Sequence, residues 1–180
     1  MIIVCPYEPR IHPLCDEALN LHAPGTVRHP LGPNTTAYWN FLHALWKDQV
    51  TFAIIEHDIE IHDQVVSEFQ SCAQPWCVFP YAGPGWRDGE RGLLDHSLGC
   101  TRFGTELMMF EPEMMDSIGN VVTLGQTEQG RRDWRLLDVK IFDYLRKRGY
   151  QPHVHIPPVI HHHQYNYGCS CGSDHEGDDE

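Results

Sequence analysis

Glu56, His57 and Asp58 follow directly on the unbroken apolar run Phe52-Ala53-Ile54-Ile55. The run reads as a central strand buried on both faces. A buried strand that ends in carboxylates delivers them to the crevice at the carboxyl ends of the strands, where open α/β sheets bind ligands. Two acids placed there call for a cation. Side chains alternate along an extended strand, so Glu56 and Asp58 are expected on one face and His57 on the other. Carboxylate oxygens suit Mg²⁺ or Mn²⁺, ions that keep several waters and bridge to substrate phosphates. The same three residues would also serve as a solvated acidic turn ahead of the next helix.

Other residues with chemical potential are scattered. The seven cysteines include no paired C-x-x-C framework and are expected to be reduced. Cys72 and Cys77 lie near each other in sequence, but no second half of a zinc site is evident. The histidine run His161-His162-His163 lies near the end of an alternating segment. Imidazole is a common metal ligand, and alternation would let His161 and His163 face one site together; a histidine-rich surface strand is the other reading. Beyond it, Gly168 to Glu180 is polar and glycine-rich and is expected to be a disordered acidic tail, in which Cys169, Cys171 and His175 could catch a soft metal.

The formal charge of −12 is partly local, since five acids sit in that tail and leave 20 acids against 13 Lys and Arg, about −7 for the body. An acidic body makes nucleic acid an unfavourable partner, because a polyanion needs a basic patch. Nothing approaches the length of a membrane span, and the amino terminus is too short and uncharged to read as a signal peptide, so a cytoplasmic location is expected. With 180 residues the expectation is one domain over residues 1–165 and the tail over 166–180.

The elements needed to position these groups can be read in order. Ile2 to Cys5 reads as a strand that Pro6-Tyr7-Glu8-Pro9 should end, since two prolines cannot continue a ladder. A helix over His12–Leu21 would face inward through Leu14, Ala18 and Leu21. Thr26–His29 is a second strand, and a helix capped at Asn34 or Thr35 runs through Trp46 with Tyr38, Phe41, Leu42 and Leu45 as its stripe. After Asp58 come a helix over His62–Cys72 and a strand over Trp76–Phe79. Residues 81–96 form a glycine-rich loop without the P-loop pattern. A strand over Ser97–Phe103 and a helical region over Thr105–Ile118 follow, then a helix from an Asp133 cap to Arg148 before Gly149. His153 to His163 alternates like an edge strand interrupted by Pro157 and Pro158. Alternating strands and helices imply a single-domain α/β fold, a mostly parallel sheet with helices on both faces and right-handed crossovers.

This order of pieces resembles the GT-A type of glycosyltransferase, enzymes that use nucleotide-sugar donors. Phe52 to Asp58 is similar to the family's apolar strand ending in a D-x-D motif, with Glu56 in place of the first Asp. Leu137-Asp138, with Gly149-Tyr150 beyond it, resembles the family's helix that opens with x-E-D, though Leu stands where the motif has Glu. Pro157 and the following histidines resemble the closing strand whose histidine often completes the metal site. The resemblance implies a metal-dependent transferase that moves a sugar from a nucleotide-diphosphate sugar to an acceptor hydroxyl. It implies Mn²⁺ or Mg²⁺ held by Glu56, Asp58, His161 and His163. Pro6, Tyr7 and Glu8 would lie near the base, and Asp138 would be the general base with Asp133 as second choice. Leu137 leaves open a degenerate member that binds nucleotide or sugar without turnover. Water in place of the acceptor would make it a nucleotide-sugar hydrolase.

Overall fold

A computed structural model describes residues 1–8, 10–32, 37–81, 98–110 and 135–162. The element order is β1 (Ile2–Tyr7), α1 (Pro13–His22), β2 (Val27–Pro30), α2 (Ala37–Lys47), β3 (Phe52–Ile55), β4 (Ile59–Glu60), α3 (Gln64–Ser71), β5 (Trp76–Val78) and β6 (Cys100–Phe103). A 3-10 turn over Thr105–Phe110, α4 (Arg135–Lys147), β7 (His153–Val154) and β8 (Ile160–His161) complete it. Six strands form one sheet in the order β2-β1-β3-β6-β5-β7, and β4 with β8 forms a second, two-stranded sheet.

The architecture is the expected α/β sheet with helices on both faces, and β3 shows why. Phe52 and Ile54 face a core that includes Tyr38, Leu42 and Trp46 of α2 and Ile141, Phe142 and Leu145 of α4. Ala53 and Ile55 face the opposite core, with Ala18 and Leu19 of α1 and Val65 and Phe69 of α3. Every residue of β3 is fully buried, as an apolar run without alternation requires.

The sheet is mostly parallel, as expected, with β6 the one reversed strand among the six. β1 runs parallel to β2 and β3, and β5 to β7, but β6 is antiparallel to both β3 and β5. A short buried strand hides the same side chains whichever way it runs, so its direction is not written in its apolar pattern. β1 also runs on through Pro6, which pairs with His29. The Tyr7 carbonyl accepts from the Leu31 N–H toward β2. By alternation the Pro6 nitrogen faces the other side, where the pairing with β3 has ended at Val4 and no donor is missed.

Three further elements depart from expectation. In α1 the buried residues are Cys15, Ala18 and Leu19, whereas Leu14 and Leu21 are exposed. His12 caps this helix, its Nδ1 accepting from the Leu14 N–H at 3.3 Å. The helical region begun at Thr105 is a 3-10 turn as far as Phe110. The expected C-terminal edge strand is two strands in different sheets, with Pro157 and Pro158 between them. By contrast α4 stops where expected: Gly149 takes φ +86°. There the Gly149 and Tyr150 N–H groups close onto Arg146 and Leu145 carbonyls.

Trp46 joins the two ends of this core. Its ring packs 5.3 Å from Phe52 and 4.7 Å from Phe103, centroid to centroid, and its Nε1 donates to the Leu107 carbonyl at 3.4 Å. Trp46→Ala is expected to lower unfolding free energy by ~3–5 kcal/mol in urea denaturation, from the lost burial and the cavity left behind.

Candidate active site

β3 ends at Ile55, and residues 57 and 58 turn, with the Ile59 N–H donating to the Glu56 carbonyl at 3.1 Å. The alternation that would align Glu56 with Asp58 therefore stops one residue early. The two carboxylates take different partners. Glu56 Oε1 accepts from the buried Tyr38 hydroxyl of α2 at 2.7 Å. Asp58 Oδ2 lies 3.0 Å from Nε2 of His161. Asp58 is 3% exposed, and among the described residues its Oδ1 has no hydrogen-bond partner.

The second sheet makes the Asp58–His161 contact possible. β4 leaves the turn at Ile59 and pairs antiparallel with β8, setting Ile59 opposite His161 and Glu60 opposite Ile160. The His162 N–H donates to the Asp58 carbonyl at 2.8 Å, and His162 Nε2 lies 2.7 Å from Glu60 Oε2. Residues 103 apart in sequence thus meet at the carboxyl end of the central strand.

The electrostatics separate the two acids. Burial pushes the Glu56 carboxyl up to about 7; the Asp58 charge adds to the rise, and Tyr38 and His161 oppose it. Burial also works to raise Asp58, but the hydrogen bond and charge of His161 outweigh it and hold that carboxyl below its ordinary value. Burial first, and then the Glu56 and Asp138 charges, raise Tyr38 well above the usual phenol range, so it stays a donor. Asp138, in the first turn of α4, accepts from the Leu98 N–H at 3.3 Å. Leu98 precedes Gly99, whose carbonyl accepts from the Glu56 N–H at 2.8 Å, and this sets Asp138 near the Glu56 side of the cluster.

Glu56, Asp58, His161 and Asp138 are therefore brought into one neighbourhood. His163 and Asp133 lie outside the described residues. Pro6 is a rung of β1, Glu8 follows the strand, and Tyr7 lines an open cleft of about 570 Å³ with Arg10, Asp16, Asn20 and Arg28. Three of these lining residues are tied together, because Arg28 Nε donates to Asp16 Oδ1 at 2.7 Å and Nη2 to Asn20 at 2.6 Å. The His12 N–H donates to the His57 carbonyl at 2.9 Å, linking the start of α1 to the acidic turn.

Sequence reasoning passed over Tyr38, Glu60, His162 and His12. Tyr38 sits in an apolar helical stripe, where only its hydroxyl hints at a polar task. His12 stacks on His162 at 4.2 Å, a contact between residues too distant in sequence to be foreseen.

No model of a known protein family matches the chain, and no curated protein matches its sequence. Among solved structures, the crystal structure of a glycosyltransferase involved in the glycosylation of the major capsid of PBCV-1 is similar. It aligns with TM-score 0.50 at 10% identity, over 89% of this chain and 92% of that one. The chain has a glycosyltransferase-like fold. A weaker likeness is to the crystal structure of A197 from STIV, with TM-score 0.42 and 15% identity over 60% of this chain and 66% of that one. Identity this low speaks to the fold of the chain alone and leaves its chemistry to be argued from its own side chains. Among the described residues no helix is long and apolar enough to cross a membrane.

The raised Glu56 has a consequence for stability. Its carboxyl binds a proton more tightly folded than unfolded, so its contribution is full below about 4.5 and is lost as pH rises toward about 7. Asp58 is lowered, so its contribution is present above 3.8 and lost as pH falls through its folded value. Without added metal, the melting temperature of Glu56→Gln should fall less than that of the parent between about pH 4.5 and 7. Thermal scans across that window check it; parallel curves would show that Glu56 titrates normally.

Proposed function

We propose that this chain is a GT-A type glycosyltransferase. It would move a sugar from a nucleotide-diphosphate sugar to an acceptor hydroxyl with a divalent cation held by Asp58, His161 and Glu56. The observation that carries the reading is the buried Asp58 carboxylate, paired with His161 through one oxygen and unpartnered at the other among the described residues. An unmet buried carboxylate oxygen is costly, and a hard dication is the partner whose chemistry fits an oxygen-rich set with one imidazole. Such an ion, when bound, neutralises charge on the leaving diphosphate.

The chain's own residues then have separable tasks. Asp58, kept ionised, supplies the permanent negative charge of the site. His161, carried by β8, contributes a nitrogen and fastens the C-terminal strand over the acidic turn. Glu56 adds a second carboxylate once it has released its proton, and Tyr38 holds it in place. Tyr7 offers an aromatic face in the neighbouring cleft, suited to stacking on a nucleoside base. Asp138 would take the proton from the acceptor hydroxyl as the new bond forms, its carboxylate aimed by the Leu98 N–H. The reading is supported by the position of Asp58 just beyond the carboxyl end of β3, where open α/β sheets bind ligands.

Leu137 favours one competing reading. It is 2% exposed and belongs to the core between α4 and the sheet. That position therefore contributes packing where the x-E-D motif carries an acid, as a binding protein without turnover would allow.

Purified protein incubated with Mn²⁺ and a panel of nucleotide sugars distinguishes these outcomes. Slow release of nucleotide without acceptor indicates an active site, binding without release indicates the degenerate member, and absence of both removes the donor. Asp58→Ala should abolish Mn²⁺-dependent nucleotide binding in calorimetry, and His161→Ala should weaken it. Asp138→Asn should keep the affinity and lower turnover by ~10²–10⁴. A fully active Asp138→Asn would remove Asp138 from the role of base.

A further inference from the structure

On the face of the sheet that carries α1 and α3, Cys72, Cys77 and His155 converge. Cys72 caps the C-terminus of α3, Cys77 lies in β5, and His155 follows β7 and donates its N–H to the Val78 carbonyl at 2.9 Å. Their ligand atoms all lie within 4.8 Å of one another. A tetrahedral ion with ligand bonds of ~2.0–2.3 Å needs ligand atoms roughly 3.3–3.8 Å apart, which small side-chain rotations supply.

The imidazole is prepared for this. His155 is 6% exposed, and its ring is stacked on Phe79 at 4.9 Å and meets Phe69 edge-on at 6.1 Å. Nδ1 lies 3.3 Å from Glu68 Oε2, while among the described residues the buried Nε2 has no hydrogen-bond partner. A carboxylate on one ring nitrogen fixes the tautomer that leaves a lone pair on the other, the arrangement found behind metal-bound histidines. Arg102 donates to Cys77 Sγ at 3.4 Å. Two thiolates and the Glu68 carboxylate would carry three negative charges, matched by a dication and the Arg102 guanidinium.

We propose that Cys72, Cys77 and the Nε2 of His155 bind one zinc-class dication, with water in the fourth position. Binding displaces the two thiol protons to solvent and replaces two S–H bonds with two metal–thiolate bonds, with no change of oxidation state. The ion ties the end of α3 and β5 to the edge strand β7. The chain leaving that strand reaches His161 within a few residues, so the soft-metal site anchors the segment that returns to Asp58. The two sites differ in chemistry: sulfur and nitrogen here, mainly oxygen at Asp58.

The test uses the full chain carrying Cys169→Ser and Cys171→Ser, freshly reduced and titrated with Co²⁺. The expected result is one thiolate-bound Co²⁺ per chain, counted from the charge-transfer absorption and the visible bands of a tetrahedral ion and displaced by Zn²⁺; Co²⁺ held by the carboxylates at Asp58 gives no thiolate band. Cys72→Ser, at a partly exposed position, should halve or remove the charge-transfer band. Glu68→Gln should weaken Co²⁺ affinity by ~10–100-fold. Asp58→Ala should leave the band intact. X-ray absorption on the protein loaded with one equivalent of zinc, which requires no core substitution, should show two sulfurs at ~2.3 Å with nitrogen or oxygen at ~2.0–2.1 Å. Absence of a thiolate band, a band unchanged in Cys72→Ser, or a Cys72–Cys77 disulfide that forms in place of metal uptake would overturn the proposal.

Discussion

The site depends on one contact, the Asp58 carboxylate against the imidazole of His161. A carboxylate removed from water is unfavourable unless charge and hydrogen bonds replace the lost hydration. Asp58 is almost fully buried, so the turn after β3 is stable only with a compensating group nearby. His161 supplies half of that compensation from the far end of the chain, and the two-rung β4–β8 sheet holds it there. The second oxygen is the part that the described protein groups leave unanswered.

Around this pair the structure assigns two neighbouring carboxylates opposite protonation tendencies. Asp58, next to an imidazole, is drawn down; Glu56, buried and beside another acid, is drawn up to about 7 against the hydrogen bond from Tyr38. Environments that pull like groups apart in this way are a recurrent basis for dividing chemical roles. Tyr38 reaches this pair because α2 lies on the sheet face that receives Phe52 and Ile54, and its hydroxyl lies within 2.7 Å of Glu56. The same helix thus builds the core through Leu42 and Trp46 and touches the site through Tyr38.

The two faces of the sheet share the work of holding the C-terminal segment. On one, α4 brings Asp138 to the start of β6 through the Leu98 N–H. On the other, the aromatic contacts of Phe69 and Phe79 seat His155, beyond which the Val159 N–H donates to the Pro80 carbonyl at 3.0 Å before the chain reaches β8. Changes near His155 therefore bear on where His161 stands.

By itself the sequence determined the local elements and the location of the acidic turn. Phe52 to Ile55 has no polar residue that could face water, so a strand buried on both sides follows from composition alone. The Gly149 stop and the amphipathic α2 and α4 are equally local, set by glycine's access to positive φ and by a periodicity near 3.6. The phase of α1 differs from the one its leucines suggest because Cys15 packs like a small apolar residue, leaving Leu14 and Leu21 in solvent. What only the tertiary structure decided is the pairing of distant pieces. The antiparallel course of β6, the division of His153–His161 between two sheets, the Glu56–Tyr38 and Asp58–His161 contacts, and the meeting of His155 with Cys72 and Cys77 all join segments that local periodicity cannot relate. Hydrophobic burial is non-directional and specifies which side chains go inside. Backbone hydrogen bonds between strands and the demand of buried polar groups for partners select which of the many compact arrangements brings these residues together.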